Sequence, residues 1–405
     1  MTVVEFFDKN AIENVFGVFG GNVDKVVFVG DSGKKLENAI SIYREIAEKR
    51  GKNIEFTKKT ANRNNLLSIV ETLNIIVKEN DECAFDLTGG DDLYLVAVGI
   101  VYSQNPEKVQ LHRYNVNSGK FLDCDADGNI INSYPAKITV EENIKIYGGK
   151  ILYDEREDAT YRWDLNPDFV CDLIKMRKIC LEDNRLWNLQ MTVLGELMYK
   201  NDGLEVVVDK EAAVHILDNK KIKPVFDENL LKSLENARLI SNLKIGSKVI
   251  EFRFKNEQIK RCLTKAGQIL ELYVTVCAME CENIDGTPVY NDVICGAVLD
   301  WDGKYEEGKV NIDNEIDVML MKDFVPVFIS CKNGDVRVDE LYKLEAVAKR
   351  FGGKYAKKVL VAPELDKLGA SGESLCARAA ELDIQVIYDC DTVSQEEFIE
   401  SLCKI

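Results

Sequence analysis

Histidine is nearly missing from this chain: 405 residues hold only His112 and His215. That scarcity counts against reading Gly30-Asp31-Ser32-Gly33 as a protease nucleophile loop, which needs a histidine base and a secreted β-barrel around it. No run of roughly 18 apolar residues occurs, so no membrane-spanning helix is expected. The stretch from Met1 to Val15 lacks a basic segment followed by an apolar one and does not read as a secretory signal. Paired cysteine spacings of the metal-binding kind are also lacking. The 12 cysteines read as buried, reduced thiols of a cytoplasmic protein, with Cys277 and Cys281 packed one helical turn apart. Nor is there an excess of positive charge. A net charge of −17 argues against a surface that grips nucleic acid all over, but not against a local basic cleft.

What remains is a chain of ordinary globular composition, 46% hydrophobic and 30% charged, long enough for two or three cores. Residues 2 to about 115 alternate strand and helix patterns. The short apolar runs at Val3-Val4-Glu5-Phe6-Phe7, Val26-Val27-Phe28-Val29 and Cys83-Ala84-Phe85-Asp86-Leu87 suit strands buried on both faces, and helix-length segments near 34–50 and 62–79 lie between them. The expected fold class is α/β, opening with a doubly wound, Rossmann-like sheet. Residues 116–250 hold hairpin-like pieces and a helix pair with no chemical motif. From about 257 the pattern is a long helix, three strands, a helix at 337–351, a strand at 355–362, a helix at 370–382, and a last strand and helix. That order suits a compact αβββαβ core.

The densest chemistry lies in Asn314-Glu315-Ile316-Asp317-Val318 and Val327-Phe328-Ile329-Ser330-Cys331-Lys332. A hairpin turning at Asp323-Phe324 would set Asp317 opposite Ser330 and Glu315 opposite Lys332, all four on one face. Unpaired charges do not belong in a core. Carboxylates beside a lysine suit a divalent metal held next to a phosphodiester. A surface hairpin with a cross-strand Glu–Lys pair fits the same pattern. Glu271 falls in a helical row with Gly267, Val274 and Ala278, either as a half-buried structural group or as a metal ligand. Lys343, Lys349, Arg350, Lys354, Lys357 and Lys358 follow the hairpin; they read as a solvated helix face or as the bed of a phosphate backbone.

In the N-terminal part, Gly30-Asp31-Ser32-Gly33-Lys34 opens a helix after a strand, where backbone N–H groups favour anions, although the glycine spacing of a P-loop is absent. Thr88-Gly89-Gly90-Asp91-Asp92 follows the next apolar strand, and its glycines permit close backbone approach to a ligand. Asp123, Asp125, Asp127 and Gly128 mimic a calcium loop but lack its closing glutamate, so Asp127-Gly128 reads as a hairpin turn.

Taken together, these pieces resemble a known arrangement. Residues 1–150 resemble a CARF (CRISPR-associated Rossmann fold) domain through Asp86-Leu87-Thr88-Gly89-Gly90. Residues 257–405 resemble a PD-(D/E)xK, restriction-endonuclease-like domain through Ala266-Gly267 to Leu270-Glu271, Glu315/Asp317, Ser330-Cys331-Lys332 and Arg350-Phe351-Gly352-Gly353, with a mixed α/β segment at 151–256 between them. The combination is similar to the accessory nucleases of type III CRISPR defence that cyclic oligoadenylate activates. The resemblance implies a homodimeric, cytoplasmic nuclease switched on by cyclic tetra-adenylate or a close relative. It would cut single-stranded DNA, RNA or duplex DNA. Activator contacts would come from Asp8, Lys9 and Asn10, from Gly30, Asp31 and Ser32, and from Thr88, Gly89, Gly90 and Asp91. Mn²⁺ or Mg²⁺ would be held by Glu271, Asp317 and the Cys331 carbonyl, with Lys332 stabilising charge. Two departures stand out. Asp91-Asp92 occupy the place where the family often has Thr-Lys, so acceptors for ribose or base replace a lysine–phosphate contact. Ser330 replaces the motif glutamate, with Glu315 or Glu340 as substitutes. Two other readings stay open: an inactive nucleotide-sensing regulator, and a constitutive DNA-repair nuclease whose N-terminal part only dimerises.

Overall fold

The computed structural model describes residues 1–8, 11–14, 16–31, 33–125, 127–156, 158–198, 203–334, 336–363 and 365–405. The N-terminal part is built on β1 (Thr2–Phe6), β2 (Lys25–Gly30), β3 (Glu55–Thr60), β4 (Cys83–Asp86), β5 (Val109–Asn115), β6 (Lys120–Cys124) and β7 (Ile130–Pro135). They form one sheet in the order β3-β2-β1-β4-β5-β6-β7. The first five run parallel and the rest return antiparallel. Helices Lys34–Lys49, Leu66–Glu79 and Asp92–Gln104 connect them. Because helices cover the sheet, β1 and β4 are buried along their whole length, as their unalternating apolar sequences require. The strand order reverses direction between β1 and β4, which opens a crevice at the carboxyl ends of these strands. Asp127-Gly128 makes the expected turn, with Gly128 at φ +81°.

The short β8 (Lys150–Ile151) spans the expected boundary between residues 150 and 151 and pairs with the C-terminal sheet. In the middle segment, helices Pro167–Glu182 and Asn184–Met198 pack on an antiparallel sheet of β9 (Glu205–Asp209), β10 (Ile240–Ile245) and β11 (Val249–Phe254), ordered β10-β11-β9. The C-terminal sheet adds β12 (Asp292–Asp300), β13 (Asp313–Lys322), β14 (Val325–Cys331), β15 (Lys357–Val361) and β16 (Gln385–Ile387), in the order β16-β15-β14-β13-β12-β8. The strand alternation sorts its two faces. Val318, Leu320 and Ile329 pack with helix Gln268–Met279, while Met319, Met321 and Phe328 pack toward helix Val338–Phe351.

The single long helix expected from residue 257 is two helices, Glu257–Thr264 and Gln268–Met279. Gly267 between them sits at φ +89°, a left-handed conformation that glycine adopts without the Cβ penalty and that an α-helix cannot continue through. The tip of the β13–β14 hairpin is lodged in the N-terminal part. The Phe324 ring lies 5.3 Å from that of Phe19, 5.2 Å from Tyr114 and 5.6 Å from Phe121. One apolar cluster therefore runs from Val3 and Phe28 to Met319 and Phe351. Among the described residues, no helix is long and apolar enough to cross a membrane.

Candidate active site

The hairpin has the register its sequence predicts. Lys322 faces Val325 and Val318 faces Ile329, around a turn in which Asp323 takes φ +56°. Asp317 and Ser330 are the next positions in that series. The Asp317 carboxylate gathers three donors on one oxygen: Ser330 Oγ at 3.1 Å, the Cys331 backbone N–H at 2.7 Å and Lys332 Nζ at 3.1 Å. Lys332 Nζ also lies 3.5 Å from Glu340 on helix Val338–Phe351. Burial alone would lower the Lys332 pKa, but Asp317 and then Glu340 outweigh it and hold the ammonium above its ordinary range. Lys332 thus stays charged at neutral pH.

Glu315 departs from expectation. It does not pair with Lys332, because the β13–β14 ladder ends at Val318–Ile329 while β13 continues on β12, with Glu315 facing Val298. Its carboxylate meets Lys265 Nζ at 2.7 Å instead. Lys265, in the break between the two helices, also lies 3.8 Å from Glu271. Glu271 itself is only 5% exposed and accepts a hydrogen bond from Gln268 Nε2 at 2.9 Å. Burial first, and then repulsion from Asp317 and Glu315, push its carboxyl up to about 7 against the pull of Lys265. Cys331 is buried in the apolar cluster, and burial followed by Asp317 drives its thiol well above the ordinary range. Of its donors, only the main-chain carbonyl suits a hard cation.

Asp317, Ser330, Lys332, Glu315 and Lys265 line one cleft of about 730 Å³ with Arg156, Tyr161, Trp163, Arg261 and Lys343, and buried Glu271 lies 3.8 Å from the lining Lys265. The basic run that follows the hairpin largely points elsewhere. Arg350 donates to the carbonyls of Tyr147 and Trp301, Lys354 pairs with Glu13, and Lys358 pairs with Glu345. Of that run Lys343 lines the cleft and pairs with Glu340, while Lys265, which the sequence reading passed over, supplies the cation beside Glu271 and Glu315. A divalent ion fits this donor chemistry: the carboxylates are hard oxygen ligands, and their mutual repulsion at Glu271 is what a cation relieves. Among the described residues, no three His, Cys, Asp or Glu side chains gather as a ready-made cage. Any ion would therefore need main-chain, water or phosphate oxygens to complete its shell.

At the other end of the chain, the loops after β1, β2 and β4 share one edge of the sheet. Thr88 donates through N and Oγ1 to Asp86 at 3.0 and 2.6 Å, and its hydroxyl accepts from Tyr114 N at 2.9 Å. Gly89 sits so close to its neighbour that a Cβ would lie 2.7 Å from the Glu13 carbonyl oxygen. Gly90 takes φ +98°. The Asn14 side chain closes on the Asp8 main chain, accepting from Asp8 N at 2.7 Å and donating to the Asp8 carbonyl at 3.1 Å. Gly30 ends β2, where a Cβ would press on Phe7. Asp31 and Asp91 both act on the Tyr94 phenol, which burial first and these charges next push up to about 12. Asp91 is paired with Arg63, a cation the motif reading did not include. Lys9, Asn10 and Ser32 lie outside the described residues. Beneath the turn, Glu5 and Asp86 are 0% and 1% exposed. Burial and then Asp86 raise Glu5 well above the carboxylate range, and burial raises Asp86 to about 6 despite Thr88.

No protein-family model and no curated protein matches the sequence. Solved structures do. The crystal structure of protein VC1899 from Vibrio cholerae matches with a TM-score of 0.68 at 18% identity, covering 100% of this chain and 96% of that one. Can2 from Sulfobacillus thermosulfidooxidans, solved in complex with cyclic tetra-adenylate, matches with a TM-score of 0.65 at 15% identity, over 100% and 98% of the two chains. The chain has the fold of Can2 from end to end. The α/β architecture expected from the sequence is therefore the observed one, and the resemblance drawn from scattered motifs holds at the level of the Can2 fold.

Proposed function

We propose that this chain is a metal-dependent nuclease switched on by a cyclic oligoadenylate, cyclic tetra-adenylate in the first instance, in type III CRISPR antiviral defence in the cytoplasm. One observation carries the reading: Asp317, Ser330 and Lys332 converge beside buried Glu271 in a cleft, on a fold shared with a protein solved with that ligand. Asp317, Glu271 and the Cys331 carbonyl would hold Mn²⁺ or Mg²⁺, an ion that activates water and neutralises phosphoryl oxygen. The residues supply the rest. Ser330 and the Cys331 N–H orient the Asp317 carboxylate. Lys332, kept charged, donates to the oxygen on which negative charge grows as the phosphodiester breaks. Glu271, pushed up to about 7 by burial and its acidic neighbours, would give up its proton as the cation binds. Lys265 holds Glu315 and keeps the carboxylates from repelling one another fully.

The activator would lie across the carboxyl ends of β1, β2 and β4, against Asp8, Gly30, Asp31 and Thr88 to Asp91, with Arg63 offsetting Asp91. A ring of two-fold symmetry suits a dimer axis. The exposed Leu95 and Val96 on helix Asp92–Gln104, 42% and 50% accessible, supply apolar surface for a second copy. Communication with the cleft is supported by Glu13. It touches the Thr88-Gly89 turn and pairs with Lys354, just beyond the helix that carries Glu340.

The test uses labelled single-stranded DNA, RNA and duplex DNA with Mn²⁺, with and without cyclic tetra-adenylate. Cleavage is expected only when ligand and metal are both present. Lys332→Ala and Asp317→Ala are expected to lower the rate by about 10²- to 10³-fold while ligand binding persists by calorimetry. Equal cutting without ligand would make the protein a constitutive nuclease. Ligand binding with no cutting under any metal would make it a regulator, silenced by Ser330.

A further inference from the structure

The cleft contains a second constellation with no part in the bond-breaking chemistry. Tyr161 and Trp163 come from the strap between β8 and helix Pro167–Glu182, and Arg261 comes from helix Glu257–Thr264. All three line the same cleft as Asp317 and Lys332. The Arg261 guanidinium carbon lies 4.0 Å from the Tyr161 ring centroid. Tyr161 meets Trp163 edge-on at 4.8 Å, and Trp163 is stacked on Phe169 at 5.7 Å with 21° between the rings. Arg261 forms no ion pair among the described residues, and both aromatic rings are only half-buried. Half-buried rings, one stacked on Phe169 and the other under a guanidinium that has no carboxylate partner among the described residues, are unusual in a cleft that otherwise matches each cation with a carboxylate.

We propose that Tyr161, Trp163 and Arg261 form a base-stacking subsite that seats one unpaired nucleobase of the strand being cut and so fixes which phosphate reaches Lys332. The proposal rests on the nuclease reading of this cleft and adds how the strand is positioned. A base has a π-face whatever its identity, so an aromatic ring flanked by a guanidinium holds it without sequence preference. Phe169 fixes the orientation of Trp163, and the Tyr161–Trp163 contact fixes that of Tyr161, so little side-chain freedom is lost on binding. A base in a continuous duplex shows its edges but not its faces. The subsite therefore favours single strands, frayed ends and bulges.

The experiment uses the full chain with cyclic tetra-adenylate and Mn²⁺, and single-stranded DNA oligonucleotides in which one abasic nucleotide is moved stepwise past the cut. The wild type is expected to lose about tenfold in kcat/KM when the gap falls at one particular distance from the cut, and little elsewhere. Tyr161→Ala is expected to raise KM about tenfold on intact strands, with a smaller change in kcat, and to be indifferent to the abasic position. Tyr161→Phe, which keeps the ring, should restore both the KM and the positional dependence. Fluorescence anisotropy with the same oligonucleotides reads binding without cleavage. If the protein binds with this positional and Tyr161 dependence but never cuts, the nuclease reading fails and the stacking subsite stands. A flat abasic profile in both assays overturns the subsite, as does a Tyr161→Ala variant with wild-type KM and affinity.

Discussion

The buried pair Glu5 and Asp86 gives a prediction whose size follows from the structure. Asp86 has its carboxyl raised from 3.8 to about 6, by burial above all. Folding therefore takes up protons between about pH 4 and pH 6. Stability from this group is complete below the lower value and is lost as pH rises through the higher one. Slightly more than two pH units at 1.36 kcal/mol each is about 3 kcal/mol. Asp86→Asn keeps an oxygen to accept from Thr88 N and Oγ1, offers Glu5 a donor, and cannot ionise. The variant should gain on the wild type by about 3 kcal/mol as pH rises from 4 to 7, and its relief of charge repulsion on Glu5 has the same sign. Urea unfolding followed by far-ultraviolet circular dichroism at successive pH values measures that difference, with titrating groups other than Glu5 cancelling between the two proteins. A difference that stays constant over this range, or that shrinks as pH rises, would refute the argument.

Two further outcomes follow from the N-terminal turn. Gly89→Ala forces a Cβ to 2.7 Å from the Glu13 carbonyl oxygen and 3.3 Å from that of Phe6. Because both are main-chain atoms, the turn must shift, and cyclic tetra-adenylate affinity should fall at least about tenfold by calorimetry, in line with the cost of overpacking. Unchanged affinity would remove the turn from the activator site. Lys354→Ala breaks the pair with Glu13. Ligand affinity should hold within about threefold while the ligand-induced rise in cleavage drops by about 2- to 30-fold, the usual span for residues that modulate coupling. Full activation in that variant would exclude this route.

Much of the site was legible because strand geometry is stringent. Once the turn is set at Asp323-Phe324, the two-residue period fixes which side chains share a face, and Asp317, Ser330 and Lys332 do meet. The same rule overreached at Glu315, because a ladder can end before its strands do, and where β13 leaves β14 is not written in either strand alone. Lys265 was hidden by periodicity. An apolar repeat running through 257–279 looks like one helix, and the break in it, with Lys265 extended at φ −129° and Gly267 at positive φ, sets that lysine beside the carboxylates. The aromatic strap at 161–163 has no regular pattern to read, since its conformation is imposed by helix Pro167–Glu182 and its neighbours. The basic run after the hairpin misled in the opposite way. Composition cannot distinguish a lysine facing phosphate from one tied to Glu13 or Glu345.

The seating of Phe324 among Phe19, Tyr114 and Phe121 has a mechanical consequence. The β13–β14 hairpin has one end in the cleft and the other wedged into the N-terminal part, so the joint behaves as a weld. Swinging one part against the other would pull an aromatic ring out of its socket. In the proposed dimer, a switch is therefore expected to move one copy relative to the other, with each travelling as one rigid piece. Cutting the chain near residue 150 would leave that socket open to water.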